Sequence, residues 1–144
     1  MRTPIAMAVV LGSWACGDAG DSPHATVVTL SQVPSSTAPH GKASVQRLAE
    51  GQHAFVGRLV LEPNVAIPLH RDASEETIHV VEGTGTLTID GKSFAIGPGA
   101  TAFMPAMAEV RFENGPDRLV ALQVFAGGDS QRKYDGWDLA SSAP

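Results

Sequence analysis

His70, Asp72 and Glu76 fall close together in the stretch "PLHRDASEETIHVVEGTGTLTIDG", residues 68 to 91, and their side chains are of the types that hold a divalent ion. Residues two apart in an extended chain leave the same face, so His70 and Asp72 project together. Glu76 shares parity with Ile78 and Val80, which turns it toward an interior; Glu75, Thr77 and His79 then point outward. Burying Asp72 beside Glu76 is costly unless a cation, a proton or a hydrogen-bond donor compensates. Two readings stay open. One is a site in which His70, Asp72 and Glu76 hold Mn, Zn or Fe(II), ions suited to oxygen-rich ligation. The other is a hydrogen-bonded polar cluster with Arg71 as its internal cation.

Strands must position these residues. The chain of 144 residues suits one domain with a modest core, and 43% hydrophobic but only 6% aromatic residues require a core of Val, Leu, Ile and Ala. With Gly 15 and Pro 10, short apolar runs between turn signals favour an all-β domain. The runs are "ASVQRL", "HAFVGRLVLE", "ETIHVVE", "GTLTID", "KSFAI", "ATAFM", "EVRFE" and "RLVALQVF". Asp90-Gly91 is a strong hairpin signal, because both central residues of a type I′ turn need positive φ. The formal charge of −5, without a Lys/Arg cluster, excludes the basic face that nucleic-acid binding needs.

The flanks read differently. Residues 1–15 form a signal segment, with Arg2 ahead of an apolar stretch from Ile5 to Leu11 that is too short to span a bilayer. It ends at Cys16, the single cysteine, and resembles a bacterial lipoprotein signal in which that cysteine is lipidated, with Ser13 where Leu is usual. The resemblance implies a lipid-anchored protein of the periplasm or outer membrane; the alternative is a secreted soluble one. Residues 16–42 read as a flexible tether with a possible strand at "TVVTL" and solvated His24 and His40. Residues 43–128 form the barrel. Residues 129–144, polar but for Tyr134 and Trp137, are either an arm packed across it or mostly disordered.

The spacing in residues 55 to 126 resembles that of a small single-domain cupin. The first motif of that family runs glycine, five residues, His-x-His, three or four residues, Glu, six residues, Gly; here it reads Asn64, His70-Arg71-Asp72, Glu76, Gly83. The second reads "GPGATAFMPAMAEVRFEN", with Pro98-Gly99, Pro105 and Asn114 in register and Val110 where a histidine is expected. The resemblance implies a double-stranded β-helix, the jelly-roll barrel, which is often homodimeric. Of the family's three histidines and one glutamate only His70 and Glu76 remain. Asp72 can still ligate through oxygen; Val110 cannot.

Gln123, polar in an apolar strand, and Arg58 are candidates to line a ligand pocket; Arg58 and Arg111 could instead pair with Glu62 and Glu113. Phe103 and Phe112 are expected in the core. Three functions follow: a lipid-tethered barrel that binds a small molecule, a metal-dependent enzyme resembling cupin dioxygenases or isomerases that uses His70, Asp72 and Glu76, and a structural role for the barrel surface. Lipidation contributes about 0.8 kcal/mol per buried methylene, so an acylated Cys16 should hold the barrel at a membrane. We therefore expect Cys16→Ser to move the protein from the membrane to the soluble fraction of a bacterial lysate. Unchanged membrane association would rule the anchor out.

Overall fold

The computed structural model describes residues 25–139, which places the signal segment, Cys16 and His24 outside the described residues. Eleven strands follow in order: β1 (Ser35–Thr37), β2 (Ala43–Glu50), β3 (Ala54–Leu61), β4 (Ala66–Arg71), β5 (Glu75–Glu82), β6 (Gly85–Ile89), β7 (Lys92–Ile96), β8 (Thr101–Met104), β9 (Glu109–Asn114), β10 (Leu119–Ala126) and β11 (Asp138–Leu139). They form a seven-stranded sheet, ordered β11-β1-β2-β3-β10-β5-β8, and a four-stranded sheet, β4-β9-β6-β7. All the pairings within these sheets are antiparallel. The only helical pieces among the described residues are two short 3₁₀ turns, Leu30–Gln32 and Ser130–Arg132. This is the jelly-roll barrel that the cupin resemblance implies.

Alternation along each strand supplies the core. Leu59 and Leu61 of β3, Val80 of β5, Leu87 of β6, Val110 and Phe112 of β9, and Leu119 and Ala121 of β10 turn inward and pack across the two sheets. Their outward neighbours are left at the surface: Phe103 of β8 is 56% exposed rather than in the core, because the parity that buries Met104 turns Phe103 out. Phe112 is buried as expected.

Pairing extends beyond residues 43–128 on both sides. β1 lies within the segment read as tether and pairs with β2, while β11 of the C-terminal arm pairs with β1. The apolar run "TVVTL" is not a strand: Val27 is 98% exposed, and the chain enters the first 3₁₀ turn at Leu30. β4 was hidden by Pro68. Its pairing with β9 shifts register between Ile67 and His70, since proline offers no N–H to the ladder, and β4 tolerates this as an edge strand.

Backbone conformation explains the turn residues. Asp90 (φ 47) and Gly91 (φ 79) are both left-handed in the tight β6–β7 hairpin. Asn64, at the position where the cupin motif has glycine, sits at φ 60, a conformation that asparagine tolerates better than most residues. Gly83 is more constrained. At φ +81 a Cβ would fall 2.5 Å from the Arg118 carbonyl oxygen and 2.8 Å from Leu119 Cα, whereas a Cβ on Gly91 would meet nothing within 4 Å. Gly91→Ala should therefore cost only left-handed strain, about 1 kcal/mol, and Gly83→Ala about 2–3 kcal/mol, because the β5–β6 and β9–β10 connections must also separate. Urea melts of the two variants check this; equal losses would show that the close approach carries no energy.

Candidate functional site

Inside the barrel lies a cavity of about 280 Å³. Most of its wall is apolar, built by Leu59 and Leu61 of β3, Ile67 of β4, Leu87 of β6, Phe112 of β9, and Leu119 and Ala121 of β10. Along β10 the inward positions run Leu119, Ala121, Gln123, Phe125, so the wall becomes polar toward the end where Phe125 pairs with Glu76 of β5. There His70, Asp72, Glu76, Gln123, Lys133 and Tyr134 all border the cavity. We refer to this end as its head.

Each head residue is held by its own element. His70 stands on β4 directly opposite Val110 of β9, so the valine occupies the cross-strand position from which a second-motif histidine would face it. The His70 Nδ1 lies 2.8 Å from the Pro68 carbonyl oxygen. A carbonyl can only accept, so Nδ1 carries a proton, and Nε2 lies 3.6 Å from Asp72 Oδ2. Asp72 follows β4; its own carbonyl receives the Met107 N–H at 2.6 Å. Glu76, only 6% exposed, accepts from the Gln123 amide at 2.6 Å through Oε1. The Tyr134 hydroxyl donates to the other end of that amide, fixing its orientation.

The arm supplies the missing cation. Lys133 donates to Asp72 and sits 4.8 Å from the centre of the Phe125 ring. Tyr134 is driven into a second core cluster with Val45, Phe55 and Phe125; ring centroids lie 5.5 Å from Phe55 and 6.3 Å from Phe125, and Trp137 packs on Tyr134 at 4.6 Å. Arg71, the internal cation expected from the sequence, instead pairs with Glu109 at 2.7 Å and donates to the Met107 carbonyl. Its odd parity relative to His70 and Asp72 turns it away from them.

Gln123 thus borders the cavity, and Arg58 does not. Arg58 alternates with the inward Leu59, lies on the outer face, and donates to Gln46 at 3.2 Å. Arg111 pairs with Glu113 at 3.9 Å, and His79 is exposed with Thr101 2.8 Å from its Nδ1. His40 is exposed, as the sequence suggests, and also borders the cavity. Lys133, Tyr134 and Trp137 are the head residues that sequence reasoning missed. Their one signal was a pair of aromatics in an otherwise polar tail.

As the side chains stand, the head forms no metal-holding group. Among the described residues no three His, Cys, Asp or Glu side chains are grouped so as to hold one. His70 and Asp72 stand together, but Lys133 already neutralises Asp72, the Gln123 amide holds Glu76, and Val110 offers no donor.

A double-stranded β-helix with its polar cluster in the barrel head defines the cupin class of fold. Residues 57–125 match the family described as "Cupin domain". Solved structures agree on the fold. An RmlC-like cupin from Shewanella frigidimarina superposes with a TM-score of 0.67 at 15% identity, covering 74% of this chain and 95% of that one. A predicted oxalate decarboxylase from Thermotoga maritima gives 0.65 at 22% identity, covering 72% and 100%. The polyketide cyclase RemF from Streptomyces resistomycificus gives 0.64 at 21%, covering 72% and 80%. No curated protein matches the sequence.

Burial pushes the Glu76 carboxyl above its ordinary value of 4.5, against the opposing pull of the Gln123 amide and the Lys133 charge; Asp72 adds to the rise. Burial likewise holds the Tyr134 phenol far above the usual range. Folded Glu76 therefore holds its proton more strongly than unfolded Glu76. Its contribution to stability is full below the unfolded value and is lost as the pH rises through the folded one. Glu76→Gln, which keeps an acceptor for Gln123, should gain stability relative to wild type as the pH rises from 4 to 8, with the difference levelling below about pH 4.5. Urea melts across that range test this; a difference that does not change with pH would remove Glu76 from the linkage.

Proposed function

We propose that this protein binds a small, largely apolar molecule in its barrel, with one hydrogen-bonding group of the ligand at the head, and that Cys16 tethers it to the cell envelope. The cavity carries the reading: a chamber of about 280 Å³, just below the usual ligand-pocket range of about 300–1,000 Å³, joins an apolar wall to a few convergent polar groups. Such a site orients a ligand through its head and gains affinity from its body. The barrel interior is fixed by the two sheets, so little of that gain is lost to ordering the protein.

A second reading has one observation in its favour. The proton of His70 Nδ1 on the Pro68 carbonyl leaves Nε2 directed as in metal-ligating histidines, which supports a metal-dependent enzyme using His70, Asp72 and Glu76 with Mn, Zn or Fe. It requires Lys133 to leave Asp72.

Calorimetry with 1-hexanol and cyclohexanol separates the readings. Wild type should bind, and Ala121→Leu, which places a larger side chain on the cavity wall, should reduce the affinity at least tenfold while the protein stays folded. Binding that is undiminished in Ala121→Leu, or absent from wild type, would reject the cavity as the site. One equivalent of metal in protein purified without a chelating tag would favour the enzyme.

A further inference from the structure

We propose that the head of the cavity recognises a primary ammonium group, and that Lys133 occupies this subsite when no ligand is bound. The inference rests on the small-molecule reading above and names the ligand class: a primary amine with an apolar body.

The head is a set of acceptors. His70 borders it, with its Nδ1 committed to the Pro68 carbonyl. Asp72 supplies a carboxylate whose Oδ2 lies 3.6 Å from the His70 Nε2. Glu76, 6% exposed and bordering the cavity, uses Oε1 for the Gln123 amide; Oε2 makes no hydrogen bond among the described residues. A primary ammonium has three N–H donors for such a set.

The protein already demonstrates the chemistry. The Lys133 ammonium is held there by the Asp72 carboxylate and the face of Phe125, 4.8 Å from the ring centre, a carboxylate-plus-ring combination that favours an organic cation. Lys133 pairs directly with Asp72 alone, and its stem comes from the arm, which borders the chamber. An amine with an apolar body would place its charge where Lys133 stands and its body against Leu59, Ile67 and Ala121. No trio of the described residues is drawn together closely enough for an ion.

The test compares n-hexylammonium with 1-hexanol in the same variant by calorimetry at pH 7.5, so that changes in the chamber cancel. In wild type, Lys133 competes and the two probes should bind within about threefold of one another. In Lys133→Met the ammonium should bind at least tenfold tighter than the alcohol, because Asp72 has lost its cation. Lys133→Gln, which keeps a donor for Asp72, should show the same reversal if Lys133→Met does not fold. Adding Asp72→Asn to either should abolish the preference. Hexanol binding with no gain for hexylammonium in both Lys133 variants would overturn the inference and leave the binding reading intact. Failure of both probes in every variant would reject both. Tighter uptake of Zn than of hexylammonium by Lys133→Met would also overturn it.

Discussion

A carboxylate inside an apolar barrel needs a partner, and this barrel encloses the head of its cavity with two, Asp72 and Glu76. The cost of removing such groups from water is several kcal/mol each when uncompensated. Both partners come from elements remote in sequence: the Gln123 amide from β10 and the Lys133 ammonium from the arm. Docking of the arm is therefore coupled to the charge state of the barrel interior. The aromatic cluster makes that docking specific, since Tyr134 packs between Phe55 and Phe125 while its hydroxyl completes the chain to Gln123 and Glu76.

The same coupling changes what the C-terminal segment is. A tail that merely covered the barrel could be removed without altering the site. Here the arm contributes a charge, a hydrogen-bond donor and two aromatic walls, and its β11 pairs with β1 to extend the seven-stranded sheet. The loop before β5 is tied to the start of the arm as well, through the Ser74 hydroxyl donating to the Gly127 carbonyl at 2.9 Å. Site, arm and first motif form one mechanical unit.

At the opposite end the connections are held by backbone devices. Asn114 donates its side-chain amide to the Glu62 and Asp117 carbonyls, at 2.8 and 3.1 Å, and its N–H to Val65, clamping the β3–β4 and β9–β10 connections together. Asn64 and Gly83 supply the left-handed turns that this clamp needs. None of these residues touches the head. They set the register that brings β4, β5 and β9 into one barrel, which is why the spacing of a cupin motif can stand in this chain while Asp72 and Val110 replace ligand-type histidines.

Short-range rules made much of this legible in the chain. Alternation identified the inward face of β5, hence Glu76, while Gln123 was marked only as a polar residue in an apolar strand; the φ demands of Asp90-Gly91 fixed a hairpin; motif spacing identified the barrel. Those signals are local, and backbone sterics and the period of a strand determine them wherever the segment lies. The edge strand β4 was hidden because a proline interrupts it, and "TVVTL" misled because apolar alternation does not itself provide a pairing partner. The identity of the cation at Asp72 could not be read locally. Arg71 is adjacent in sequence but on the wrong face of its strand, while Lys133 is 61 residues away and reaches Asp72 only because Tyr134 is buried against Phe55 and Phe125. Which charge meets which is decided by long-range packing, and that information exists only once the chain has closed on itself.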